Sequence, residues 1–166
     1  MTNIISIAIT GPPGVGKTAY IHRLTTGEYI ENPVASNGEI QESNLTVETK
    51  DGSVHIKIVE VPIARYIEST SLKPPSVDYT IALFDVTSRT SFEYLTTLLD
   101  VIKPVVVCAS KLERDTCSER IYNAPNRINR EECSYIGISS KDSSSTLKSP
   151  IHHVINLEID FDVEFV

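Results

Sequence analysis

The stretch of this chain with the most specific chemistry is Gly11-Pro12-Pro13-Gly14-Val15-Gly16-Lys17-Thr18, a full match to G-x-x-x-x-G-K-[ST]. A loop of this kind aims successive backbone N–H groups at phosphate oxygens, which demands glycine conformations and close backbone approach. A helix opening at Lys17 adds the positive end of its dipole. Lys17 then reaches the β- and γ-phosphates, and the Thr18 hydroxyl ligates Mg²⁺. Gly11, Gly14, Val15, Gly16, Lys17, Thr18 and Ala19 are therefore the candidate phosphate-binding residues. Pro12 and Pro13 remove two donors, which the cradle tolerates if the remaining N–H groups converge. The loop alone leaves kinases, ATPases and GTPases all open.

Other reactive side chains carry less. His152 and His153 are adjacent, and adjacent residues do not share a helix face, so they are read as a surface pair. His22 and His55 have no spaced partner. Cys108, Cys117 and Cys133 form neither an even set nor a close metal-type spacing, which suits reduced thiols.

The elements that must position the loop can be read from periodicity. Ile4–Thr10 is a short β-branched run ending at glycine, the pattern of a buried strand. A helix is expected over Lys17–Thr26. Strands over Asn44–Thr49 and Val54–Val61 flank Asp51-Gly52, a tight-turn signal. Thr80–Asp85 and Pro104–Ala109 are continuous apolar runs, as in strands covered on both faces. Between them, Phe92, Leu95, Leu98 and Leu99 recur at helical spacing within Ser91–Ile102, with Ser91 or Thr90 as N-cap. Ser134–Ile138 reads as a strand and Pro150–Leu157 as a last helix. Strands alternating with helices predict an α/β P-loop NTPase fold: a mostly parallel six-stranded sheet with one antiparallel strand and helices on both faces. Glu28–Ser43 and Pro62–Val77 are the least patterned stretches, and long loops in a compact domain are usually functional.

Whole-chain numbers bound the rest. A length of 166 residues suits one domain. Asp and Glu outnumber Lys and Arg by 22 to 15, for a net charge of −7. That balance argues against a nucleic-acid footprint, which needs a clustered basic face. The start MTNIISIAIT has no basic leader, and no apolar run reaches the roughly 18 to 20 residues of a membrane span. The ending VEFV has no cysteine for prenylation. A cytosolic or nuclear monomer without a membrane anchor is expected. The acidic ending, 157–166, alternates charged and apolar residues and is read as a short tail.

From these motifs onward the sequence resembles a Ran-type small GTPase along nearly its whole length, as one G domain over 1–166. The runs that carry the resemblance are GKTAYIHRLTTGEYIENPVASNG, Phe84-Asp85-Val86-Thr87-Ser88-Arg89, Pro104–Glu113, Ile138–Lys141 and the ending SPIHHVINLEIDFDVEFV. Ran's extended C-terminal arm is absent. The resemblance implies GTP or GDP with Mg²⁺, importin-type transport receptors, an exchange factor and an activating protein. It places Ser110, Lys111 and Glu113 on the guanine-reading N-K-x-D motif, and Ser139, Ser140 and Lys141 on S-A-K. It places Thr18, Ser36 and Glu60 around the magnesium.

The departures from the family pattern carry as much information. Ser110 replaces an asparagine that both bonds the base edge and braces the phosphate loop, and a serine hydroxyl is too short for both. Glu113 puts the guanine-binding carboxylate one methylene further out. Lys111 keeps an aliphatic stem that can pack on a purine. Glu60-Val61-Pro62-Ile63-Ala64 stands for D-T-A-G-Q. Ile63 thus replaces the glycine whose N–H meets the γ-phosphate, and Ala64 the glutamine that orients the attacking water. Hydrolysis is expected to be very slow, with no catalytic side chain assigned. Arg65 is read as solvated.

Three functions are consistent with this sequence. The first is a divergent Ran-like GTP-binding protein acting in nucleocytoplasmic transport. The second is a non-hydrolysing interaction module that competes for Ran partners. The third is a small P-loop kinase, with Arg114, Arg120, Arg127 and Arg130 in the loop Glu113–Arg130 as its lid.

Overall fold

Along β1 (Ile4–Thr10) the pleat sends Ile5, Ile7 and Ile9 into one apolar layer and Ala8 into another. That two-sided burial sets the architecture. The computed structural model describes residues 4–67, 73–114, 124–141 and 146–158. Its further elements are α1 (Lys17–Thr26), β2 (Gln41–Thr49), β3 (Gly52–Glu60), β4 (Tyr79–Asp85), α2 (Arg89–Ile102), β5 (Val106–Ser110), α3 (Ala124–Ile128), β6 (Ser134–Gly137) and α4 (Ser149–Glu158).

The strands form one six-stranded sheet in the order β2-β3-β1-β4-β5-β6. Only the β2–β3 hairpin is antiparallel among these pairings. The layer under Ile7 and Ile9 takes Tyr20 and Leu24 from α1 and Ile151, Val154 and Ile155 from α4. The opposite layer takes Phe92, Leu95 and Leu99 from α2 and Ala124 and Ile128 from α3. The expected α/β P-loop architecture, with helices on both faces, is the one observed.

Local chemistry moves several boundaries. Helix α2 begins at Arg89 because Ser88, in extended conformation, accepts the Ser91 N–H at 3.2 Å. Neither Thr90 nor Ser91 is the cap; the Ser91 hydroxyl instead bonds the Ser88 carbonyl at 2.8 Å. β5 starts at Val106 rather than Pro104, which has no N–H to give a ladder. β2 extends back to Gln41, into the loop expected over Glu28–Ser43. The hairpin turns at Gly52, whose φ of 127° favours glycine.

Three short elements were not expected. One is α3; the others are 3₁₀ turns over Leu112–Arg114 and over Ile63–Tyr66, the latter inside the stretch read as a long loop. Each is five residues or fewer, too short for helical periodicity to register. Residues 159–166 of the acidic tail, Cys117 and Arg120 lie outside the described residues.

The parallel strands end together, at Thr10, Glu60, Asp85, Ser110 and Gly137. Open parallel sheets bind ligands at this carboxyl edge.

Candidate functional site

A cleft of about 660 Å³ opens at the carboxyl edge, within the range typical of small-molecule sites. Its floor is the loop between β1 and α1. Gly14 and Gly16 have φ of 77° and 97°, the left-handed region that glycine enters freely. At Gly11 a Cβ would land on the Leu83 carbonyl of β4, so only glycine lets the loop lie this close to the sheet. Gly16 caps α1, and Lys17 begins the helix.

Lys17 reaches back over the loop, donating from Nζ to the carbonyls of Gly11 at 2.9 Å and Pro12 at 3.0 Å. Pro12 thus serves as an acceptor although it has no N–H to offer a phosphate. Burial lowers the Lys17 pKa, and the negative charge of Glu60 offsets part of that shift. A buried ammonium facing two neutral carbonyls is poised for an anion.

Beside it, the Thr18 hydroxyl donates to both carboxylate oxygens of Glu60, at 2.9 and 3.1 Å. Glu60 closes β3 and is only 3% exposed. Ser36 lines the same cleft, with its carbonyl accepting the Glu39 N–H at 2.8 Å in a turn through Asn37 and Gly38. Hydroxyl and carboxylate oxygens suit a hard cation, so these residues fit Mg²⁺. Thr18, Ser36 and Glu60 would hold it, and the ion would neutralise phosphate charge there. Among the described residues no group of three or more His, Cys, Asp and Glu side chains could hold a metal, His152 and His153 included. A bound Mg²⁺ would draw its remaining ligands from phosphate oxygens and water, its usual habit.

The far end of the cleft is built from the β5 terminus. Ser110, 3% exposed, bridges the Val15 carbonyl at 2.6 Å and the Phe84 carbonyl at 2.8 Å. Its short hydroxyl braces the phosphate loop against β4. Lys111 sits in a left-handed conformation, φ 61°, that turns its side chain back across the loop. Its Nζ donates to the Gly14 carbonyl at 2.7 Å and to Asp85 Oδ2 at 2.7 Å. The Lys111 stem also passes Gly16 within 3.8 Å of where a Cβ would stand. Burial pushes the Asp85 carboxyl up, but bonds from Lys111 and Thr87 outweigh it and hold the pKa below its ordinary value.

Glu113 lines the cleft, and its Oε2 accepts the Ser139 hydroxyl at 2.7 Å. Ser139 is buried behind that carboxylate, while Ser140 reaches the cleft itself. Lys141 is exposed and does not line the cleft as the described residues form it. The structure therefore brings Gly11, Gly14, Val15, Gly16, Lys17, Thr18, Ala19, Ser36, Glu60, Ser110, Lys111, Glu113 and Ser140 together in one cleft, with Ser139 one step behind. The sequence reading missed Tyr29 and Asn32 on its wall, and Asp85 as the partner of Lys111. For Asp85 a signal existed: the F-D-V-T run itself.

Ala64 and Ile63 also line the cleft, and Ala64 brings only a methyl group to it. Two of the candidate lid arginines are engaged away from the cleft. Arg127 donates both guanidinium amines to Glu93, at 2.6 and 2.8 Å, and stacks 4.8 Å from the Phe92 ring centroid. Arg130 bonds Asp100 at 2.7 Å. Both are spent on α2, on the face of the sheet away from α1. Arg114 alone of the described arginines in that loop lines the cleft.

No curated protein matches the chain. A model of the Ras family matches residues 6–154. Because that span carries the whole cleft from Gly11 to Ser140 and nearly all of the sheet that frames it, the chain belongs to the Ras family of small GTPases.

Proposed function

We infer that the protein is a Ran-type GTP-binding protein that holds GTP or GDP with Mg²⁺ and hydrolyses GTP very slowly. The observation that carries this reading is the Glu113–Ser139 bond at the end of the cleft opposite Lys17. It keeps a carboxylate on the wall of the cleft that the Gly11–Thr18 loop floors, and a carboxylate only accepts hydrogen bonds. Guanine offers donors at N1 and N2, whereas adenine presents a bare N1. Lys111 supports the same reading, because its tethered stem supplies a flat apolar strip beside that carboxylate.

Slow turnover follows from Ala64, which has no group to orient a water molecule. The Ran-type partners (importin-type receptors, an exchange factor, an activating protein) and a place in cytoplasm and nucleus rest on the runs quoted above. So do the single G domain over 1–166 and the monomeric state. Among the described residues no helix is long and apolar enough to cross a membrane.

The test is titration of fluorescent GTP, GDP and ATP analogues with and without Mg²⁺. Tight, Mg²⁺-dependent guanine binding is expected, with adenine weaker by at least about 10-fold, roughly 1.4 kcal/mol. Lys17→Ala should abolish it. Equal affinity for ATP and GTP would sink the guanine assignment.

One observation favours a second reading, a non-hydrolysing interaction module that occupies Ran partners: Ile63 and Ala64 leave no residue to fire the reaction. Turnover that stays flat with a GTPase-activating protein present would select it.

A further inference from the structure

The resemblance puts Pro62–Tyr66 where the family has a segment that responds to the terminal phosphate. In this chain the segment is fastened. Ile63 is 5% exposed and Tyr66 8%, and both pack with Val61, Phe84 and Phe92 in the layer under α2. The Tyr66 hydroxyl also meets the Thr80 side chain of β4. Pro62 holds φ at −57°, and two 3₁₀ bonds close the turn: Arg65 N–H to the Pro62 carbonyl at 3.0 Å and Ile67 N–H to the Ala64 carbonyl at 3.2 Å.

A glycine at position 63 would lose the buried side chain that anchors the start of this turn and would be freer to move. Isoleucine converts the same position into part of the core. The segment nevertheless borders the cleft, since Pro62, Ile63 and Ala64 all line it. It is therefore close enough to be asked to move and too well packed to comply. A ligand shifts a conformational equilibrium only by its differential affinity for the two states. Driving one from 1:99 to 99:1 takes about 10⁴-fold. One additional phosphate would have to supply that while drawing two buried side chains out of the core.

We propose that Pro62–Tyr66 is a fixed part of the core in every nucleotide state, so that the diphosphate and triphosphate complexes present one surface beside the cleft. This rests on the nucleotide reading above for its consequence, and on packing alone for its cause. A partner that reads this surface is engaged irrespective of the nucleotide, and regulation has to act through the amount of loaded protein.

Amide hydrogen exchange on the full chain tests it in three forms: nucleotide-free, with GDP and Mg²⁺, and with a non-hydrolysable GTP analogue and Mg²⁺. The Arg65 and Ile67 amides should be protected by at least about 100-fold over an unstructured chain in all three. Their rates with GDP and with the analogue should agree within about twofold. Ile63→Gly should speed both amides by about 10-fold or more, leaving those of β1 and β4 unchanged. Fast exchange in the nucleotide-free protein, a clear GDP–analogue difference in the wild type, or an Ile63→Gly protein indistinguishable from it would each overturn the proposal. Protection at Arg65 and Ile67 without any effect of nucleotide on Gly14–Thr18 supports the fixed segment while removing the nucleotide reading, so the two fail separately.

Discussion

Lys17 is the residue on which the cleft's response to phosphate turns. Its ammonium is mostly withdrawn from water and, among the described residues, bonds two neutral carbonyls, so burial lowers its pKa from the ordinary 10.5. The folded protein then holds this proton less tightly than the unfolded chain does. By linkage, stability rises as pH climbs through the window between the lowered pKa and 10.5. A bound phosphate reverses the sign, because an adjacent anion favours the charged form. Nucleotide binding is therefore expected to take up protons on the alkaline side and to weaken as pH rises further. Calorimetry of GDP binding at a series of alkaline pH values up to the ordinary 10.5, in two buffers of different ionisation enthalpy, measures the uptake directly. The apparent enthalpies should differ between buffers for the wild type. Lys17→Met should erase any difference that survives its loss of affinity, and identical wild-type enthalpies would contradict the account.

At the scale of elements, α2 decides what the arginines after β5 can do. Arg127 clamps α3 to α2 through Glu93 and Phe92, and Arg130 ties the approach to β6 to Asp100. A lid over phosphates would need these guanidinium groups free and on the cleft. Arg127→Ala and Arg130→Ala should thus leave guanine nucleotide affinity within about twofold, because exposed ion pairs contribute little beyond their own neighbourhood. A loss of tenfold or more would restore the lid. The same helix shows what sequence can carry. Phe92, Leu95 and Leu99 disclose its buried face by spacing alone, and β1, α1 and the Gly52 turn follow equally local rules. The role of Ser110 does not, because Val15 lies 95 residues away and Phe84 lies 26 away, and only folding brings them to one hydroxyl. Glu113 and Ser139 meet across 26 residues for the same reason. The 3₁₀ turn at Ile63 was hidden differently: four residues after a proline have too little length to reveal which of them face the core. Site membership was legible from motifs, whereas the bonding within the site depended on contacts between distant strands.

Taken whole, the molecule carries its cleft at one edge of the sheet and an unrelated fastening at the other. Tyr79 opens β4 at the edge opposite the phosphate loop, and its hydroxyl donates to Glu158 Oε2, at the end of α4, at 2.6 Å. The bond to Glu158 pushes the Tyr79 pKa up to about 12, from an ordinary 10.0. The neutral phenol is the form that donates, so this contribution is complete below pH 10.0 and is lost as pH rises through about 12. The pair is largely exposed, so solvent screening limits it to at most about 1 kcal/mol. A chain with net charge −7 gains further negative charge over the same range, which destabilises any variant and calls for a difference measurement. Urea unfolding of the wild type and Tyr79→Phe at about pH 8 and about pH 11.5 supplies it. The wild type should hold a small advantage at the lower pH that shrinks toward zero at the higher one. GDP affinity should be the same in both proteins, because the bond lies across the sheet from the cleft. An advantage that does not change with pH would mean that Tyr79 stabilises by packing its ring against the α4 layer, with the bond to Glu158 contributing nothing measurable.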